Sequence, residues 1–146
     1  MRKLFKEVTI DGATYILDYY TYAASFTAIA SGASQTQFIN IEADADFVIE
    51  KMAYFADIAG GVQTDSTRVI PIANIALNDS GSGRNLQNQP IALSSIAGQG
   101  DLPFVLPLPR IFKANSTISL TLTNTSAATT YANIQISLIG YKRFYK

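Results

Sequence analysis

From Thr117 to Thr123 apolar and polar positions alternate without a break, Ile118, Leu120 and Leu122 against Thr117, Ser119, Thr121 and Thr123. A polar connection over residues 124–130 follows. The alternation then resumes with Ile134, Ile136 and Leu138 against Asn133, Gln135 and Ser137. Side chains in a strand alternate faces with period two, so both runs are half-buried strands, and the connection predicts that they pair as an antiparallel hairpin. An apolar sheet face must be covered, and in an all-β chain a second sheet usually covers it.

The same reading extends through the chain. Residues 5–10 and 13–17 flank Asp11-Gly12, a preferred two-residue hairpin turn. Residues 23–36 are small and polar, and a short helix and a strand with a loop both remain open there. Residues 37–43 alternate as a strand, Asp44-Ala45-Asp46 makes a turn, and residues 47–56 run on as a long strand. Residues 59–66 read as a flexible loop. Residues 68–77 form a further strand, with Pro71 placing it at an edge or a bulge. A long polar tract from 78 to 100 holds one brief strand at 90–93, and loops of that length are usually functional or mobile. Pro103, Pro107 and Pro109 frame an extended segment at a sheet edge. Short strands separated by turn signals roughly every ten residues predict an all-β antiparallel sandwich or jelly roll. An N-terminal arm or hairpin occupies residues 1–36 and the sandwich residues 37–146.

Composition removes more than it adds. At 146 residues the chain is one domain's length, able to bury a core without disulfide or metal. With no Cys and no His, thiol catalysis, disulfides, the usual zinc sites and every His-based triad are excluded. The net charge is zero but segregated: Arg2, Lys3, Lys6, Lys142, Arg143 and Lys146 place six of eleven cations at the two ends. Between residues 7 and 141 eleven carboxylates face five cations. Basic ends on an acidic body suit contact with an acidic neighbour or another copy of the chain, and equally suit solvated termini. An acidic body argues against nucleic acid. Glu7 and Asp11 interrupt the apolar run that a signal peptide needs, and no apolar stretch is long enough to span a membrane. The Asn-x-Ser/Thr triplets at Asn78, Asn115 and Asn124 read as the bias of β loops.

Three constellations invite chemistry. Gly81, Gly83 and Arg84 form a glycine-rich loop, but it lacks the phosphate-loop spacing and no helix pattern follows. Glu42, Asp44, Asp46 and Glu50 cluster; they offer oxygen ligands for Ca²⁺ or an acid/base pair, yet have no EF-hand spacing and fit a solvent-facing turn. Tyr15, Tyr19, Tyr20 and Tyr22 put four of eight tyrosines within eight residues. Tyr is enriched where surfaces dock, and a core-edge strand or a sugar-stacking platform would use it as well. No catalytic residue, cofactor or metal ligand is assigned.

As an ordered set, several stretches resemble small virion proteins of tailed bacteriophages, in particular capsid decoration or cement proteins with jelly-roll folds. They are Ala43-Asp-Ala-Asp-Phe47, Leu77-Asn-Asp-Ser-Gly-Ser-Gly-Arg-Asn-Leu86, Gln89-Pro-Ile91, Gly98-Gln-Gly-Asp-Leu-Pro-Phe104, Asn115-Ser-Thr-Ile118 and Leu138-Ile-Gly-Tyr-Lys142. The likeness covers about residues 37–146. It implies a homodimer or homotrimer made in the host cytoplasm and bound to the capsid exterior, where it bridges capsomers through the major capsid protein. A neck, connector or fibre part and a carbohydrate-binding module are the alternatives. Docking is expected from Arg2, Lys3, Phe5, Lys6, Tyr15, Tyr19, Tyr20 and Tyr22, with the loop carrying Gly81, Gly83 and Arg84 as a second contact. No nucleic acid, membrane or small-molecule partner is expected.

Overall fold

A computed structural model describes residues 6–59 and 69–145. These hold ten strands: β1 Lys6–Ile10, β2 Ala13–Ile29, β3 Ser34–Asn40, β4 Asp46–Ile58, β5 Ala73–Asp79, β6 Arg84–Asn85, β7 Ile91–Ala92, β8 Phe104–Phe112, β9 Thr117–Asn124 and β10 Tyr131–Tyr145. One 3₁₀ turn, Leu93–Ser95, is the only helical element among the described residues. Sheet I has the order β1-β2-β10-β4-β8. Sheet II has the order β3-β9-β5-β6, with β7 sharing the far side of β5. Among the described residues every strand pair is antiparallel.

From β2 onward the chain changes sheet at each step except β5 to β7, so β2-β10-β4-β8 faces β3-β9-β5-β7. That order is the double Greek key of a jelly roll. The expected all-β sandwich is therefore the fold, and the expected N-terminal hairpin is β1–β2. Asp11 (φ 50°) and Gly12 (φ 80°) both take the left-handed conformation that its type I′ turn demands. β2 does not stop at the hairpin. It continues to Ile29, pairs along β10 and sends Phe26 and Ile29 fully into the common core. Residues 23–29, open between helix and strand in the sequence, are thus strand.

The core lies between the sheets. Ile118, Leu120 and Leu122 of β9 meet Ile134, Ile136 and Leu138 of β10 across it, all fully buried with Phe26, Phe47 and Phe112. Each such side chain contributes about 1.5–3 kcal/mol relative to exposure. The hairpin expected of β9 and β10 does not form. β9 pairs with β3 and β5, whereas β10 pairs with β2 and β4. An alternating pattern says which residues point inward, and it is satisfied whether two strands lie side by side or face each other.

The strand expected at 68–77 starts instead at Ala73 and runs to Asp79; Arg68 lies outside the described residues. β5 is interior, between β9 and the β6/β7 pair, and needs its N–H groups on both sides, so Pro71 stays ahead of it. There the Ile72 N–H donates to the Tyr131 hydroxyl at 2.7 Å, tying the entry of β5 to sheet I. The proline-framed segment is β8, an edge strand as expected. The loop expected at 59–66 falls, beyond Ala59, outside the described residues.

Candidate functional site

Two surfaces stand out, and each is set by strand register. The first is the end of the sandwich where β2, β4 and β10 bring together Tyr15, Asp46 and Arg143. Residues on β2 alternate faces, so the tyrosines expected to dock together divide. Tyr20 and Tyr22 turn inward. Tyr22 packs edge-on against Phe47 with centroids 4.8 Å apart, and Tyr20 against Tyr22 at the same spacing. Tyr15 is buried beside Tyr145 under the Arg143 guanidinium, which lies 4.6 Å from its ring. Only Tyr19 stands out in solvent, 72% exposed, its hydroxyl held by the Thr21 hydroxyl at 2.8 Å. Lys6 is exposed on β1 opposite Leu17; Arg2, Lys3 and Phe5 lie outside the described residues.

At the same end Lys142 is buried, its ammonium 4.2 Å from the face of Tyr20 and hydrogen-bonded to Glu42 and to Asp44 (3.1 Å). Asp46 accepts from Arg143 at 3.1 Å and from the Ala114 N–H at 2.9 Å. Of the carboxylates that the sequence offers as a Ca²⁺ site, Glu42, Asp44 and Asp46 thus hold cations of the chain itself. Among the described residues no group of three or more acidic side chains is arranged around a metal position. The pairing was hidden because Lys142 lies about a hundred residues downstream of Glu42.

The loop with Gly81, Gly83 and Arg84 closes the β5–β6 hairpin, with Gly83 at φ 67°. Buried Asp79 shapes it, accepting from the Gly81 N–H at 3.0 Å and the Ser82 hydroxyl at 2.9 Å. Arg110 of sheet I reaches Asp79 at 3.5 Å and Ser82 at 3.2 Å, so the loop is fastened across the sandwich. Its backbone N–H is spent on Asp79 rather than offered to a phosphate.

Burial opposes the charge on Lys142, but hydrogen bonds to Glu42 and Asp44 outweigh it and lift its pKa above the ordinary lysine value. Burial raises Tyr22 and Tyr141 above the ordinary tyrosine value. A group with a raised folded-state pKa keeps its proton longer folded than unfolded. Its stabilisation is complete below the unfolded value and is lost as pH rises through the folded one. Both residue types titrate near pH 10 when unfolded. Urea midpoints are therefore expected to hold level from neutrality to about pH 9 and to fall above about pH 10. Lys142→Met should flatten that fall; equal slopes in both proteins would exclude Lys142 as a source.

The second surface is the outer face of sheet I. Tyr19, Tyr141, Val48 and Ile111 stand in one register row across β2, β10, β4 and β8. Thr21, Ile139, Lys51 and Val105 form the next. The band ends at β8, where Val105 is 61% exposed, Ile111 43% and Leu108 80%, with Leu102 just ahead of the strand at 80%. A groove of about 760 Å³ adjoins it, lined by Ala53, Phe55, Ile70, Asp101 and Ser137 among others. The uncharged, three-proline run 102–109 was the available sequence signal for this surface.

No protein-family model matches the chain, and no curated protein matches its sequence.

Proposed function

We propose that the chain is a structural virion protein of a tailed bacteriophage, bound as a homo-oligomer to the capsid exterior and tying neighbouring capsomers together through the major capsid protein. The observation that carries this reading is the aromatic and aliphatic band on the outer face of sheet I. Its exposed apolar members, Tyr19, Val105, Leu108 and Ile111, flank buried Val48 and exposed Lys51, and clustered exposed apolar side chains mark binding surfaces more often than single ones do. The band is spread over four strands rather than gathered in a concave pocket with convergent polar groups, which suits a broad protein surface better than a small ligand or a sugar. Jelly rolls serve viral capsids as well as lectins, so the fold supports the reading without selecting it. Weak contacts repeated over an oligomer gain strength through effective concentration.

The test is co-sedimentation with empty shells of the parent particle. Saturation in proportion to capsomer number is expected, and Tyr19→Lys with Ile111→Lys should weaken binding by roughly tenfold or more. A chain that stays in the supernatant would end the shell reading, and saturation at a single vertex would move it to the neck.

A further inference from the structure

We infer that two copies of this chain meet along β8, side by side and antiparallel, about a two-fold axis near Pro107. This deepens the proposal above by naming where copies touch, and it rests on that proposal for the premise that copies act together. β8 is the last strand of sheet I, and among the described residues its far side carries no strand. Val105 and Leu108 are its most exposed apolar side chains, and Leu102 stands exposed just ahead of it. Residues 102–109 carry no charge at all; exposed Asp101 precedes them, and half-buried Arg110, which is paired with Asp79, and exposed Lys113 follow. A partner presenting charge to the middle of this stripe would bury it without compensation. The matching surface has an apolar centre, a cation at one end and a carboxylate at the other.

β8 is such a surface when turned end for end. Turned end for end about Pro107, which lies in the bulge where the β4–β8 register shifts, the contact brings the end carrying Asp101 to the end carrying the partner's Lys113, as an isologous contact requires. Parallel alignment would set like charges together. Pro103, Pro107 and Pro109 have no N–H to give, so side chains rather than a continuous hydrogen-bonded ladder make the contact. A neutral chain adds no long-range repulsion between copies.

Light scattering on the full chain tests this. The expected mass is twice the 15.8 kDa of one copy. Leu108→Lys brings two cations together at the axis and should raise the dissociation constant at least about tenfold. Its circular dichroism and melting should stay as in the parent, because the side chain is in solvent. Asp101→Lys should weaken the dimer, and adding Lys113→Asp should restore it. A monomer throughout, a trimer, or a dimer indifferent to Leu108→Lys would overturn the inference. A β8 dimer that ignores shells would support it and end the capsid reading; a monomer that coats shells would do the reverse.

Discussion

Gly140→Ala is expected to cost about 3–5 kcal/mol, enough to leave little folded protein in a domain of ordinary stability of about 5–15 kcal/mol. Gly140 sits in the middle strand of sheet I, between Tyr20 of β2 and Ile49 of β4, where the β4–β10 register shifts. A Cβ there would lie 1.8 Å from the Val48 carbonyl oxygen and 3.0 Å from the Ile49 Cα. Both obstacles are backbone, so no rotamer change relieves the clash, and the two strands must part. Gly100→Ala is the control, since nothing lies within 4 Å of its added methyl. Urea midpoints should drop sharply for the first and move by less than about 1 kcal/mol for the second. Equal midpoints would mean that β4 does not approach β10 this closely.

Asn124→Leu should cost about 3–4 kcal/mol for a different reason. The Asn124 side chain is fully buried, donating to the carbonyls of Ile29 (3.0 Å) and Thr129 (2.7 Å). Its oxygen accepts from the Ser126 N–H at 3.0 Å and the Ser126 hydroxyl at 2.6 Å. Its backbone bonds Gly32 and Ala33 in the β2–β3 turn. One residue therefore holds the crossover at 125–130 to both sheets. Leucine of similar size would fill the space yet leave buried carbonyls and an N–H without partners. Hydrogen exchange should quicken first at residues 125–131 and 29–33, with a lower melting temperature. Unchanged protection there would show that the crossover is held by other contacts.

Strand identity and inward faces were largely legible in the sequence, because period two survives wherever one face is dry. Ile118 to Leu122 and Ile134 to Leu138 point where the alternation says. Partner choice was not legible, and the crossover between β9 and β10 shows why: a six-residue link serves a hairpin or a jump between sheets equally well, and what decides is the Asn124 network. For the tyrosines, closeness in sequence suggested one surface, whereas alternation along β2 sends Tyr20 and Tyr22 inward and leaves Tyr19 out. The acidic turn faces solvent at Glu42 and Asp44, as the sequence indicates, but its counter-charges, Lys142 and Arg143, arrive only through strand pairing. The β8 edge was visible in advance, since three prolines in seven residues are incompatible with an interior strand.

The placing of β10 also governs how the molecule is made. It is the last strand in sequence order and the middle one in sheet I, with β2 on one side and β4 on the other. Until residue 145 has left the ribosome, β2 and β4 have no neighbour to join them, and the Phe26 and Phe47 side chains have no closed interior to enter. The sheet therefore closes only once β10 is available, at the slow pace of distant strand pairing. In that interval two open strand edges stand ready to pair with those of other chains.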